Sequence, residues 1–297
     1  SGARDTNLPV YLDVDNLIDY HLLIFYSGFF DGPLSAFNPI AASNNWFGVR
    51  NRTRDDRGWT FLIHDAEHSL GSWPSNTNDR TGPIWGGTVA QQESLERSNP
   101  QYIHQYLANN NEYKLRFADA VQREFFNSGA LTNGSVLGRL ATRKNTVADV
   151  INAEAARWGD AQDSNQSLKR TDWVNAVSNL EDWIDDRNLT VLAQLEADGL
   201  FPTTEAPIFS QHGGLISIGF SLNIANPNAG GSVYYTTDGS DPREIGGGIN
   251  PTAIQASSFF INTSEIINAR IRISDSDWSA FSSAEFLVAT NPAPGDL

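Results

Sequence analysis

Residues 46–71, WFGVRNRTRDDRGWTFLIHDAEHSLG, contain the strongest structural signal in this chain. Two short apolar segments, WFGV and WTFLI, flank a polar stretch that ends at Gly58. Apolar segments of this length around a glycine-containing turn predict a β-hairpin. Four ionisable side chains follow within five positions, where the second strand is expected to end: His64, Asp65, Glu67 and His68.

Three interpretations of this cluster are open from the residues alone. The spacing of His64 and His68 resembles zinc-binding H-E-x-x-H, but Glu67 directly precedes the second histidine and WTFLI predicts a strand where such a site needs a helix. Asp65 fits a Mg²⁺ site, because kinases hold their metal with an Asp that follows a buried strand and starts a turn. The third interpretation is an ordinary charged strand end, with both histidines hydrogen-bonded in a loop.

The composition disfavours several classes of protein. The chain has 297 residues, of which 40% are hydrophobic, so it can bury one large core or two medium ones. Its formal net charge of −15 argues against binding to nucleic acid or anionic lipid surfaces, which are also negative. It has no cysteine, which excludes disulfides, thiolate metal sites and a cysteine nucleophile. No apolar run approaches the roughly 18 residues of a membrane span.

The remaining sequence separates into a helical part and a strand-rich part. Residues 13–28 predict a helix, with Asp13 as its N-terminal cap and Gly28 after its end. Residues 88–200 have mostly helical periodicity. From residue 201 onward, prolines and threonines precede short alternating segments such as LISIGFSLNIA, which are typical of half-buried strands. We therefore predict a multidomain α+β chain: a mostly helical domain with a short β-hairpin at 1–203, then an antiparallel Ig/Fn3-like β-sandwich at 204–297.

Several segments of the first domain, taken in order, resemble the C-terminal half of the CotH (spore-coat protein H) kinase family. They are DVDNLIDY, FYSGFFDGPLSAF, NNWFGVRNR and GWTFLIHDAEHSLGS, and the likeness is closest to large planctomycete or verrucomicrobial members. It covers about residues 10–200, since NPQYIHQYLANN, EAARWGD and the helix ending DGLFP are similar to the helical tail of such proteins. The resemblance implies the C-lobe of an atypical protein-kinase-like fold, with phosphate transferred from ATP to secreted protein substrates.

The resemblance also implies roles for individual residues. Asp31 corresponds to the catalytic Asp, which orients or deprotonates the acceptor hydroxyl. Asn45 and Asp65 correspond to the Mg²⁺ ligands, and Asn44 competes with Asn45 for that role. Glu67 occupies the second acidic position of the family's turn and is a further candidate metal ligand.

Four side chains near these residues are candidate contacts to phosphate or substrate: Arg50, Arg52, His64 and His68. Arginine fits this role because its guanidinium binds phosphate and carboxylate groups through paired hydrogen bonds. The arginines equally fit a simple charge balance with Asp55 and Asp56 on an exposed hairpin.

The sequence lacks two elements with which kinases bind ATP. No G-x-G-x-x-G follows a strand, and none of Lys114, Lys144 and Lys169 lies in a V-A-I-K-like strand. We therefore expect Mg²⁺-dependent phosphoryl transfer from ATP to need an N-terminal lobe or a partner chain that supplies the phosphate clamp. The alternative is a non-catalytic exported surface or matrix-binding protein that attaches to protein or carbohydrate through its β-sandwich.

The segment GSVYYTTDGSDPR at 231–243 resembles the β-sandwich module at the C-terminus of chitobiases and hexosaminidases, where Y-T-x-D-G-x-x-P recurs. In that family the module is chiefly structural. Tyr234 and Trp278 are candidate carbohydrate contacts, and the competing interpretation places both rings in the core or at an interface. The lysine-poor, Asn- and Ser-rich composition beside such a module indicates a bacterial protein that is extracellular or at the cell surface.

Overall fold

In the computed structural model, the described residues are 5–35, 43–54, 56–71, 99–162 and 167–289. These ranges contain seven helices: α1 (Val14–Ser27), α2 (Pro100–Leu107), α3 (Asn111–Phe125), α4 (Asn133–Val147), α5 (Ile151–Gln162), α6 (Arg170–Asp185) and α7 (Arg187–Ala197). They contain eleven strands: β1 (Trp46–Val49), β2 (Thr60–Ile63), β3 (Ile208–Phe209), β4 (Gly214–Ile216), β5 (Phe220–Ala225), β6 (Ser232–Thr236), β7 (Ile254–Gln255), β8 (Ser258–Ile261), β9 (Glu265–Ser274), β10 (Asp277–Trp278) and β11 (Ser282–Val288). The mixed α+β class is confirmed. No helix in the described ranges has both the length and the apolar character needed to cross a bilayer.

The chain forms two compact units. The first, which we call the helical unit, consists of Pro9–Gln105 and Glu124–Leu195. The second, which we call the sheet unit, consists of Ser1–Leu8, Tyr106–Arg123 and Glu196–Leu297. The sheet unit therefore includes most of α3 together with β3–β11. The predicted domain boundary between residues 203 and 204 stays a prediction.

Helix α1 is largely buried in the helical unit and is formed as predicted. Asp13 caps its start by accepting the Asn16 backbone N–H at 3.0 Å, and Gly28 ends it in the left-handed conformation with a φ of 60°. The loop that carries Asp31 follows directly. Eight side chains of α1 are buried: Leu17, Ile18, Tyr20, His21, Leu22, Ile24, Phe25 and Tyr26.

Strands β1 and β2 form the predicted hairpin, which is antiparallel and pairs Trp46 with Ile63 at one end. The hairpin is attached to the first turn of α1 by the Asn16 side chain, whose Nδ2 donates to the Phe61 carbonyl at 3.2 Å. Gly58 is required before β2, because a Cβ atom there would lie 2.3 Å from the Leu12 backbone. These contacts fix the hairpin relative to α1 and to the loop that follows it.

A buried arginine closes the C-terminal end of α1. Arg187, at the start of α7, is 2% exposed and donates from Nε to the Tyr26 carbonyl at 2.7 Å and from Nη2 to the Phe25 carbonyl at 2.6 Å. The last carbonyls of a helix have no partners within the helix, and the helix dipole favours a cation at this end. Arg187 therefore links the helical tail of the unit to the segment that precedes Asp31.

We expect Arg187→Lys to lower the free energy of unfolding by about 1–3 kcal/mol, because an ammonium group lacks the planar, forked donors that serve two carbonyls at once. Urea unfolding followed by circular dichroism would measure the loss. Arg143→Lys, at an exposed position of α4, is the matched control and should change the free energy by less than about 0.5 kcal/mol. Equal stability of Arg187→Lys and the parent chain would contradict this account of the α1 terminus.

The sheet unit contains two sheets that share one apolar core. One sheet has the strand order β4-β11-β9-β6-β7, with β10 paired to β9, and the other has the order β3-β5-β8. The strand pairs are antiparallel except for β4–β11, which is parallel. The alternation predicted for this region is present in β5, where Leu222 and Ile224 are buried between exposed neighbours. The core side chains are Phe209, Ile216, Leu222, Ile224, Val233, Tyr235, Ile261, Ile267, Ala269, Ile271, Ala284 and Phe286.

A second buried arginine joins α3 to the larger sheet. Arg270 on β9 is 1% exposed and donates to Asp119 of α3 at 2.8 and 2.7 Å, and to Asp241 at 2.7 and 2.6 Å. Arg243 donates to Glu112 of α3 through two bonds of 2.7 Å. Helix positions i and i+7 lie on one face, so both acids of α3 are directed to the same side of the helix.

Candidate active site

The carboxylate of Asp31 is held by three side-chain donors. Asp31 is 8% exposed and lies in the loop after α1. Ser35 Oγ donates to its Oδ1 at 2.7 Å, whereas Nδ2 of Asn44 and Nδ2 of Asn45 donate to its Oδ2 at 2.8 and 3.0 Å. Three donors fix the orientation of a carboxylate and compensate for its lost hydration. The structure thus brings two of the predicted site residues, Asp31 and Asn45, into direct contact.

Asn45 lies between the two predicted acids. Its Nδ2 donates to Asp31 and lies 3.5 Å from the Asp65 backbone carbonyl, while the Asn45 backbone carbonyl accepts the His64 N–H at 3.2 Å. Asn45 and Asp65 both have left-handed backbones, with φ angles of 54° and 50°. Asn and Asp adopt this conformation more readily than other non-glycine residues, which favours these residue types at both positions.

The turn after β2 is attached to the end of α1. Gly71, the trailing glycine of the predicted motif, has a φ of 76°, and a Cβ atom there would lie 2.8 Å from Cδ1 of Trp183. Both the backbone conformation and this close approach require glycine. Two backbone hydrogen bonds fix the turn: the Phe30 N–H donates to the His68 carbonyl at 2.9 Å, and the Leu70 N–H donates to the Ser27 carbonyl at 2.7 Å.

The predicted metal ligands Asp65 and Asn45 differ in how much of their hydrogen-bonding capacity is used. The Asp65 side chain is exposed, and in the part of the chain that the structure describes neither its carboxylate nor Asn45 Oδ1 takes part in a hydrogen bond. The same part contains no group of three or more His, Asp or Glu side chains that could hold a metal. Mg²⁺ typically binds one or two carboxylates and completes its octahedron with water and phosphate oxygens.

A comparison with protein families covers all of these residues. The family model described as CotH kinase protein matches residues 3–191, which is more than half of the chain. The chain belongs to the CotH kinase family. No curated protein and no solved structure matches it. The match confirms the predicted resemblance to the CotH kinase family as such and indicates a kinase-like function.

In this CotH chain, the other ionisable residues of the cluster lie on the surface of the turn. Glu67 is exposed, with its Oε1 atom 3.7 Å from Nε2 of His68. The His64 ring packs edge-on against Phe47, with 4.8 Å between the centroids. Residues 64–71 form turns, so the helix that a zinc-binding H-E-x-x-H requires is not present here. The interpretation of this cluster as a helical zinc site is wrong.

The two predicted arginines lie at the other end of the hairpin from Asp65. Arg50 directly follows β1, so about five residues of extended chain, or roughly 15 Å, separate it from Asn45. This separation does not support a direct contact to a phosphate held at Asp65. A contact to a longer substrate stays a prediction. A cleft of about 440 Å³ lies at this end and is lined by Gly48, Val49, Arg50, Arg52 and Trp59.

The two predicted carbohydrate contacts are buried residues of the sheet unit. Tyr234 is 8% exposed and Trp278 is 5% exposed, and their ring centroids are 5.8 Å apart. The Tyr234 hydroxyl donates to Gln255 at 3.2 Å, and Trp278 Nε1 donates to the Gly247 carbonyl at 3.1 Å. Neither ring presents a face to solvent, as sugar stacking would require, so the structure supports the competing interpretation for both.

Two residues of this site, Ser35 and Asn99, have no signal in the sequence, and a third, Asn44, has only a weak one. The family pattern makes Asn44 only a competitor of Asn45, whereas both side chains donate to Asp31. Ser35 is four residues after Asp31, a spacing that predicts nothing in a loop. Asn99 donates to the carbonyl of Pro33 across 66 residues, and no local pattern connects the two positions.

Proposed function

We propose that this chain is part of an atypical kinase that transfers the γ-phosphoryl group of ATP to a hydroxyl group of a protein substrate. In this proposal Asp65 and Asn45 Oδ1 hold Mg²⁺, Glu67 is a further acidic ligand, and Asp31 receives the acceptor hydroxyl. The observation that carries the proposal is the Asn45 amide, which reaches both Asp31 and the Asp65 backbone. A single side chain thereby sets the distance between the acceptor and the cation, and phosphoryl transfer depends chiefly on such positioning.

The proposed transfer gives each side chain a separate task. The acceptor hydroxyl donates to Asp31, and its oxygen forms a bond to the γ-phosphorus as the bond to the leaving oxygen of ADP breaks. The hydroxyl proton passes to Asp31. Ser35 and Asn44 keep the Asp31 carboxylate in one orientation. Mg²⁺, when bound, neutralises the negative charge of the phosphate oxygens.

This chain lacks the sequence elements with which kinases bind the phosphates of ATP. The sequence contains neither a glycine-rich phosphate loop nor a strand lysine of the kinase type. We therefore propose that an additional lobe or a partner chain supplies the phosphate clamp. This chain by itself should bind nucleotide weakly.

For the sheet unit we propose an Ig/Fn3-like sandwich of the chitobiase type that begins near residue 204, in an exported bacterial protein. The motif at 231–243 supports this through two successive Asx turns. Asp238 Oδ1 accepts the Ser240 N–H at 2.9 Å, and Asp241 Oδ1 accepts the Arg243 N–H at 2.9 Å. The role of the unit in this proposal is structural. No observation on the described residues favours the alternative of a non-catalytic surface or matrix-binding protein that attaches to protein or carbohydrate through this unit.

Removing the charge of Asp65 tests the proposed function. Asp65→Asn keeps the side-chain volume but removes the carboxylate, so the affinity for Mn²⁺·ATP, used as a paramagnetic substitute for Mg²⁺·ATP, should fall at least about tenfold. Water-proton relaxation measures this affinity and detects weak complexes.

Asp149→Asn provides the matched control, because Asp149 is an exposed acid between α4 and α5. Its affinity for Mn²⁺·ATP should equal that of the parent chain. The proposed function is refuted if the parent chain does not bind Mn²⁺·ATP, or if Asp65→Asn binds it equally well.

A further inference from the structure

We infer that Asn99 is a positioning residue for two segments between α1 and β1. It holds the Asp31 loop (residues 28–35) and the Asn45 loop (residues 43–45) at a fixed separation. Asn99 directly precedes α2 and is 1% exposed. The hydrogen bonds that its Nδ2 donates go to the two loops and not to the carboxylate of Asp31, so it acts through the loops that carry the site. The effect on metal–nucleotide binding rests on the function proposed above, whereas the effect on loop geometry does not.

The Asn99 amide uses both of its ends. Its Oδ1 accepts the Gln101 N–H at 2.8 Å and thereby caps the start of α2. Its Nδ2 donates to the Pro33 carbonyl at 3.1 Å and to Ser43 Oγ at 2.7 Å. Because the helix fixes Oδ1 and the amide is planar, the direction of Nδ2 is fixed as well. One rigid group therefore joins a helix terminus to two loops.

These two loops carry the residues of the proposed site. Pro33 follows Asp31 closely, and Ser43 lies shortly before Asn45. The Pro33 carbonyl also accepts the Asn44 N–H at 3.0 Å, so the two loops meet at the acceptor that Asn99 holds. The hydrogen bonds from Asn44 and Asn45 to the Asp31 carboxylate depend on this junction.

The burial of Asn99 makes its donors hard to replace. Asn99 is 1% exposed, so water cannot reach this position to donate hydrogen bonds to the Pro33 carbonyl and Ser43 Oγ in its place. Loss of the amide therefore lets the loops move apart by fractions of an ångström. Displacements of this size are sufficient to weaken a site that works by positioning.

Asn99→Ser separates capping from positioning. A serine hydroxyl still caps α2, but it is too short to donate to both loops. We expect the Asn44 backbone amide to exchange with solvent at least about tenfold faster, because its acceptor on Pro33 has lost an anchor. Hydrogen exchange with mass spectrometry and electron-transfer fragmentation resolves this single amide.

Asn110→Ser is the matched control. Asn110 Oδ1 accepts the Glu112 N–H at 2.8 Å at the start of α3, so this variant makes the same change at another helix cap. It should leave exchange at Asn44 unchanged. If Asn99→Ser does not fold, Ser43→Ala removes one acceptor of the Asn99 amide and should accelerate the same exchange to a smaller extent.

The affinity for Mn²⁺·ATP tests the functional consequence, and we expect it to be about tenfold weaker in Asn99→Ser and unchanged in Asn110→Ser. Unchanged exchange at Asn44 in Asn99→Ser, or in Ser43→Ala if that variant is needed, overturns the positioning role. Faster exchange with parental affinity overturns the link to the site. If exchange at Asn44 is faster in Asn99→Ser but the parent chain does not bind Mn²⁺·ATP, the positioning role is supported. Only the proposed function is then refuted.

Discussion

Arg270→Met is expected to lower the free energy of unfolding of the sheet unit by about 3–5 kcal/mol, because it leaves the poorly hydrated carboxylate of Asp119 without its charged partner. Arg270 is 1% exposed and is bonded to both Asp119 and Asp241. Of the two acids, the Asp119 side chain is 14% exposed and that of Asp241 is 38% exposed, so Asp119 has less access to water. Urea unfolding followed by near-ultraviolet circular dichroism would measure the loss.

The charges of this cluster depend on one another. Burial alone would lower the pKa of Arg270, but the carboxylates of Asp119 and Asp241 outweigh this effect and hold the pKa above its ordinary value. Burial raises the pKa of Asp119, and the Arg270 charge opposes this effect. A double variant, Arg270→Met with Asp119→Leu, removes the poorly hydrated acid together with its partner and should recover a large part of the lost stability.

The control for this prediction is Arg272→Met on the same strand. Arg272 pairs with Asp275, whose side chain is 85% exposed, and an ion pair with such access to water contributes at most about 1 kcal/mol. A similar loss in Arg270→Met and Arg272→Met would show that burial of the ion pair is not the cause. A double variant that is less stable than Arg270→Met would show that unpaired Asp119 is not the source of the cost.

Acidification from pH 7 to pH 4 is expected to destabilise the helical unit through two stacked histidines. His21 on α1 and His104 on α2 are both fully buried, with ring centroids 4.2 Å apart. Burial lowers the pKa of His21 to about 4, although a hydrogen bond between its Nδ1 and the Leu17 carbonyl opposes this effect. Burial, and then the proximity of His21, lowers the pKa of His104 well below its ordinary value.

The sign of the effect follows from proton uptake by the unfolded chain. His21 has an ordinary pKa of 6.5 when unfolded and about 4 when folded, so between these values the unfolded state binds more protons. The contribution of His21 to the free energy of unfolding is therefore fully present above pH 6.5 and is lost as the pH falls toward 4. At about 1.4 kcal/mol for each pKa unit, His21 alone accounts for roughly 3 kcal/mol. Tyr20, whose ring contacts His21 at 5.2 Å, stays neutral throughout because burial raises its pKa.

A double variant, His21→Phe with His104→Phe, tests this prediction. It should retain the packed aromatic pair. Between pH 7 and pH 4, its free energy of unfolding should decrease by at least about 3 kcal/mol less than that of the parent chain. His212→Phe, at an exposed position of the sheet unit, should keep most of the parental pH dependence. If the double variant has the same pH dependence as the parent chain, the buried pair is not the titrating group.

The elements of this fold could be predicted where their cause is local. The helix from Asp13 to Gly28 follows from a cap, an apolar run and a terminating glycine within one stretch of chain. The hairpin follows from two apolar segments around a turn, and Leu222 and Ile224 follow from strict alternation in β5. The tail aromatics could not be assigned in this way, because the sequence near Tyr234 and Trp278 is compatible with either a buried or an exposed ring.

The candidate site was predicted as a set of residues but not as a geometry. The resemblance to the CotH family identifies Asp31, Asn45 and Asp65. Their spacing predicts no contact, since the bond between Asp31 and Asn45 closes a loop of 14 residues. That closure depends on Asn99, which approaches from 56 residues further along the chain to reach Ser43. Hydrogen bonds over such separations leave no periodic pattern in the sequence.

The sequence by itself determined the family, the α1 helix, the hairpin and the acidic turn, because caps, glycines and apolar spacing act over a few neighbouring residues. The tertiary structure decided which polar groups meet: Asn99 with two loops, Arg187 with the end of α1, and Arg270 with Asp119 across 151 residues. The physical reason is that a buried polar group must find a partner wherever the fold provides one. Only the packed chain specifies where that partner is.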